Sequence, residues 1–173
     1  KAGYHVITDG EFRRAYWHLD FMWGFNGIKE IELDHGYFFH GEETTHGSIE
    51  VTGKISGENH PFVEHFKFIK QFEDENTAAR QTMPAPAQLL AELFREDNGK
   101  KTRAVYPDDE QLINDIAAAY RTVIRELYDA GCRNIQFDDC TWGMFCDTRY
   151  WSARQNESVS LQDEASKYLR LNN

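Results

Sequence analysis

Gly131-Cys132-Arg133-Asn134-Ile135-Gln136-Phe137-Asp138-Asp139 is the stretch that decides the fold. A glycine suited to a helix end leads within a few residues into a short strand-forming run, and the run stops at two carboxylates. Helix, turn, strand, acid is the order of a parallel α/β sheet, in which functional groups gather at the C-terminal ends of strands. Upstream, Asp108 and Asp109 suit the cap of a long helix, about Glu110 to Ala130. Leu112, Ile116, Ala119, Val123 and Leu127 form its apolar stripe.

The same alternation extends towards the N-terminus. Strand readings fall on His5–Thr8, Ile49–Ile55, Ala78–Met83 and Asn134–Asp138. Further helices are expected over Pro61–Phe72, with Phe62, Phe66 and Ile69 on one face, over Ala87–Arg95 and over Ser160–Leu171. Lys1-Ala2-Gly3-Tyr4 reads as the tail of a helix, and Asn26–Ser48 as an irregular excursion with a short hairpin. Four strands, each followed by a helix or an excursion, make about half of a (βα)8 barrel within one domain, 1–173. An open four-stranded parallel sheet is the rival reading. A half-barrel leaves two raw strand edges, so either the chain is part of a longer protein or two copies close on each other as a homodimer.

Composition narrows the function. The 173 residues carry a formal charge of −10, which argues against a phosphate-backbone partner. Twelve Phe, eight Tyr and four Trp are too many for a disordered chain. No apolar run approaches the roughly 20 residues that span a bilayer. Three cysteines, an odd count, fit a reducing, cytoplasmic setting better than a secreted disulfide framework. Cys140-x5-Cys146 is not zinc-ribbon spacing, and His35, His40 and His46 share no helical face, so no metal site is expected within the chain. There is no Gly-x-Gly-x-x-Gly, P-loop or Gly-x-Ser-x-Gly.

The strand-end rule picks out Asp9/Glu11, Lys54/Ser56, Thr82–Pro86 and Asp138/Asp139. Asp9-Gly10-Glu11-Phe12-Arg13-Arg14 puts two carboxylates and two guanidinium groups on one turn. Such a turn either holds a substrate ammonium or makes a structural Glu11–Arg14 ion pair. Asp138 follows a run read as buried on both faces and needs a partner or a ligand, whereas Asp139 could cap the next loop. The aromatic segment with Trp17 and His18, running to Trp23, is either a cleft wall or a packed lid.

Four pieces together carry a resemblance: Ile7-Thr8-Asp9-Gly10-Glu11-x-x-Arg14, Val51-Thr52-Gly53-Lys54-Ile55-Ser56, Met83-Pro84-Ala85-Pro86 and Ala130–Asp139. In that order the chain resembles the C-terminal catalytic barrel of cobalamin-independent methionine synthase, and especially the single-barrel, methionine-synthase-like proteins. The resemblance implies a (βα)8 barrel of which this chain supplies strands two to five. It implies methyl transfer from a methyl-tetrahydrofolate donor to the thiol of homocysteine, held as thiolate by zinc. By the same resemblance Glu11 and Asp138 bind the homocysteine amino group, and the zinc ligands, beginning with a His-x-Cys segment, lie beyond Asn173. This chain alone would then be inactive. A second enzyme class, a decarboxylase resembling the uroporphyrinogen type, would need Arg13 and Arg14 to face a carboxylated ring. A third reading is a catalytically incomplete half-barrel that self-associates.

Overall fold

The structure, a computed structural model, describes residues 3–155 and 160–173. The helix tail expected at Lys1–Ala2 lies outside them. In chain order the elements are β1 (Val6–Ile7), α1 (Leu19–Met22), β2 (Asn26–Glu32), β3 (Phe38–Phe39), β4 (Glu42–Glu43) and β5 (Gly47–Ser56). There follow α2 (Phe62–Lys70), β6 (Ala78–Ala79), β7 (Gln81–Pro84), α3 (Pro86–Leu93), α4 (Asn98–Val105) and α5 (Asp109–Asp129). β8 (Ile135–Asp138), α6 (Thr141–Phe145), α7 (Thr148–Gln155) and α8 (Leu161–Asn172) complete the chain.

Residues 78–84 form the spine of the parallel sheet. The first half pairs with β1, Val6 opposite Ala78, and the second half pairs with β8, Gln81 opposite Ile135. Around Arg80 the pairing changes sides: its amide donates to Ile7 O at 2.8 Å, and the next amide, of Gln81, donates to Asn134 O at 3.0 Å. The described residues therefore hold three parallel runs, not four, and no closed barrel.

The missing fourth is β5, which pairs antiparallel with β2, with Ile28 opposite Val51 and Glu32 opposite Gly47. The physical reason lies in its pattern. Ile49, Val51 and Ile55 are buried while Thr52 and Lys54 are exposed. That one-sided alternation belongs to a sheet with a solvent face, whereas parallel strands covered on both faces read as continuous apolar runs. The excursion over 26–48 is correspondingly more regular than its composition suggests, since it contains β2 and the β3–β4 hairpin. Lys54 and Ser56 leave the list of strand-end groups: Lys54 faces Asp115 at 3.5 Å and Ser56 accepts from Asn26.

The core lies between the sheet, the β2–β5 ribbon and α5. The α5 stripe is buried along its whole length, and Asp108 caps the helix by accepting the Glu110 amide. Phe62, Phe66 and Ile69 of α2 are buried as their spacing requires. Between them Phe21, Phe25, His60, Phe62 and Tyr120 form a ring cluster with centroids 4.4–5.5 Å apart. His60 is held as one tautomer: Nε2–H donates to Phe21 O at 2.9 Å and Nδ1 accepts from the Phe62 amide at 3.2 Å. Gly24 leaves room for that ring, since a Cβ there would come within 2.5 Å of His60 Nε2. Burial lowers the His60 pKa to about 4.

Candidate active site at the strand ends

Alternation along the parallel strands sorts the side chains. Arg80, Thr82 and Pro84 share one face with Asn134, Gln136 and Asp138, because Thr82 stands opposite Gln136 and Pro84 opposite Asp138. The other face carries Ala79, the buried Gln81, Met83, Ile135 and Phe137, with Phe137 set against the Tyr120 ring of α5. One face of the sheet is thus polar at each of these positions but Pro84. The run before Asp138 is not buried on both faces as the sequence suggests: Phe137 is 45% exposed and its neighbours are half-buried. β8 pairs with β7 alone among the described strands, which is why it is open.

Glu11 reaches this face from the turn after β1. Gly10 and Glu11 both have positive φ, 62° and 60°. For Glu11 that backbone is costly, a strain that clusters at functional sites. The turn is pinned by Thr8 Oγ1 and Asp9 Oδ1, which accept the amides of Gly10 and Glu11. Arg14 is its electrostatic centre, with a side chain only 1% exposed. Its Nη1 donates to Glu11 Oε1 at 2.8 Å and to Trp17 O at 3.2 Å, and its Nη2 donates to Thr82 O at 2.9 Å and Thr82 Oγ1 at 3.0 Å. Asp9 Oδ1 lies 3.8 Å from Arg14 Nη2. The Thr82 hydroxyl also approaches Glu11 Oε1 at 2.9 Å, so the turn is tied to the middle strand.

Asp138 ends β8 on the same face. Its Oδ1 accepts from Gln136 Nε2 at 2.7 Å. Glu11 and Asp138 thus stand at the same, C-terminal end of parallel strands, with the 78–84 run between them. Each is tethered through one oxygen: Oε1 of Glu11 by Arg14 and Thr82, Oδ1 of Asp138 by Gln136. Asp139 turns away, accepting the Thr141 amide and the Asn172 side-chain amide. Cys140 follows, its thiol pKa pushed up by burial and by Asp139 and Asp138, which disfavours a nucleophilic thiolate.

The aromatic segment packs inward. Leu19, Phe21 and Met22 are fully buried, and His18, 6% exposed, lies under Tyr37 with Nε2 at 3.4 Å from the phenol oxygen. Trp17 stacks on His18 at 4.8 Å and gives Arg14 its carbonyl. Burial, helped by Arg95, lowers the His18 pKa to about 4, so the ring is neutral at pH 7. Arg13 lies over the Phe68 ring at 4.2 Å. Arg14 is committed to this turn by its hydrogen bonds, whereas Arg13 remains exposed.

Three residues of this arrangement escape strand-end reasoning: Arg80, Gln136 and Glu92. The first two were signalled by polar side chains at alternate positions along their strands. Glu92 had no such signal; it is 2% exposed beneath Tyr37 and Ser48. Among the described residues no group of three or more His, Cys, Asp or Glu side chains is placed to hold a metal ion. None of their helices is long and apolar enough to cross a membrane.

No family model matches the chain. Two curated relatives are the uncharacterised proteins YxjH and YxjG of Bacillus subtilis (strain 168). YxjH is 37% identical over 86% of this chain and YxjG 38% identical over 84%. The chain spans only 38% and 37% of their lengths. Among solved structures, it is similar to the "Putative Vitamin-B12 Independent Methionine Synthase" from Listeria monocytogenes, with a TM-score of 0.70 and 34% identity. That likeness covers 99% of this chain and 44% of the Listeria chain.

Proposed function

We propose that this chain forms the amino-acid-binding part of a methyltransferase of the cobalamin-independent methionine synthase type, which moves a methyl group from a methyl-tetrahydrofolate-like donor to homocysteine or a related thiol. The observation that carries this reading is the pair Glu11 and Asp138. Two carboxylates from distant parts of the sequence stand at one end of one sheet, each with one oxygen tethered and the other without a hydrogen bond among the described residues. A substrate ammonium has three donors and a positive charge, and two carboxylate oxygens match it through charge-assisted hydrogen bonds. The likeness to the Listeria protein supports the same class of chemistry.

The zinc that the resemblance implies finds no ligand set among the described residues, so the metal would be held elsewhere in the protein. The work of these residues is capture and orientation. Arg14 and Thr82 fix the Glu11 carboxylate, Gln136 fixes Asp138, and the strained Gly10–Glu11 turn holds the first of these at the strand end. Holding the amino group at two points fixes the direction in which the thiol chain extends, which is where effective molarity is gained.

The test is substrate discrimination in the protein at its full encoded length. Methyl transfer to homocysteine is compared with transfer to 4-sulfanylbutanoate, which lacks the amino group. Asp138→Asn and Glu11→Gln should each weaken homocysteine use by about 10- to 100-fold in kcat/KM, the worth of a hydrogen bond to a charged group. Use of the desamino thiol should change by less than about twofold. Equal losses for both thiols, or no loss for either, would contradict the assignment.

A further inference from the structure

Arg80 lies on the polar face of the sheet, and its hydrogen-bond partners among the described residues are amide oxygens rather than carboxylates. Nε donates to Asn134 Oδ1 at 2.9 Å and Nη1 to Gln136 Oε1 at 2.9 Å. A guanidinium can only donate. It therefore sorts the Gln136 amide: the oxygen must face Arg80, and the NH2 must face the other way. That NH2 donates to Asp138 Oδ1 at 2.7 Å. Hydrogen bonds in such a chain polarise one another, so a half-buried cation strengthens a contact that it does not itself make. The arrangement has a built-in polarity, from Arg80 through Gln136 to Asp138.

We propose that Arg80 and Gln136 are positioning residues that orient Asp138 for the substrate ammonium, Arg80 acting by fixing which end of the Gln136 amide meets the carboxylate. This rests on the reading of Asp138 given above. With the relay intact, Oδ1 is occupied and the carboxylate plane is set, which leaves Oδ2 for the substrate. Without Arg80 the Gln136 amide is free to turn, and its oxygen would then oppose the carboxylate that it now supports. The sequence encodes the device as two alternating runs, Arg80-x-Thr82-x-Pro84 and Asn134-x-Gln136-x-Asp138. Parallel pairing sets Thr82 level with Gln136 and Pro84 level with Asp138.

The experiment uses the protein at its full encoded length with homocysteine and 4-sulfanylbutanoate, and reads kcat and KM separately. Arg80→Met and Gln136→Met should each raise KM for homocysteine about 10-fold, with little change in kcat, and leave the desamino thiol within about twofold. Arg80→Lys should recover most of the loss, because an ammonium also only donates. Equal effects on both thiols, or an unchanged KM for homocysteine, would overturn the relay provided that Asp138→Asn still distinguishes the two thiols. If Asp138→Asn does not distinguish them, the reading of Asp138 itself falls and the relay falls with it. Should Arg80→Met fail to fold, Gln136→Met and Arg80→Lys decide the question.

Discussion

Two acidic clusters in this protein are built from similar parts and arranged to opposite ends. In the first, Glu92 is 2% exposed and both of its carboxylate oxygens are taken. Oε1 accepts from Ser48 at 2.6 Å and lies 3.4 Å from Arg95 Nη1, while Oε2 accepts from the Tyr37 phenol. Asn98 completes the set through Ser48 at 2.9 Å, and Arg95 stacks on the Tyr37 ring. Ser48 comes from β5, Tyr37 from the segment between β2 and β3, Glu92 from α3, Arg95 from the segment after it and Asn98 from α4, so the cluster locks the ribbon and the loop beyond it to the helices. In the second, Glu11 and Asp138 each have one oxygen held and, among the described residues, one left over, at the C-terminal end of the parallel strands. A closed carboxylate is a fastener, and the half-satisfied pair is the receptor proposed above.

The contrast can be broken most forcefully at Glu92. Glu92→Ala leaves Tyr37, Ser48 and Arg95 facing an empty buried site, and stability to urea should fall by about 3–5 kcal/mol, as for a buried pair that loses one partner. A loss below about 1 kcal/mol would show that the cluster does not fasten the ribbon.

The ring cluster beneath the same ribbon sharpens the difference through pH. His60 is neutral in the folded chain, with a pKa near 4 against 6.5 when solvated. The unfolded chain therefore binds more protons between these values, so the stability His60 contributes is full above about pH 6.5 and is lost as pH falls towards 4. At pH 4.5 the loss should be about 2 kcal/mol from His60, and His18 adds to it in the same direction. Urea denaturation across pH 4.5–7.5 measures it, and His60→Gln should flatten the curve. A stability that stays level through this window would mean that the ring is charged or solvated.

Asp138→Asn should show the smallest effect on folding, within about 1 kcal/mol, because Asn can still accept from Gln136 through its own oxygen. If it destabilised the fold as much as Glu92→Ala, the distinction between fastener and receptor would collapse.

Much of this was legible in the chain. The long helix α5 announces itself by the Asp108 cap and an unbroken apolar stripe, and the Gly131–Asp139 passage reads directly as turn, strand and acid. Glu11 and Asp138 follow from the strand-end rule. The ribbon was harder: β5 has the length and the β-branched residues of a sheet strand, and only its alternation separates an antiparallel partner from a parallel one. Short α4 carries Gly99, Lys100, Lys101 and Arg103 and has almost no apolar face of its own. It is held by the Thr102 hydroxyl donating to Leu93 O at 2.7 Å, a tertiary contact that no local pattern reveals. Glu92 is the clearest case. On a helix flanked by Leu89, Leu90 and Leu93, its burial depends on Ser48, 44 residues away in sequence.

The central claim is that Glu11 and Asp138 grip one amino group between them. A crystal structure of the full-length protein with homocysteine bound tests it most directly. The account places the ligand nitrogen within hydrogen-bond distance, about 3 Å, of both carboxylates. A nitrogen that contacts neither, with the amino acid seated elsewhere, would contradict it.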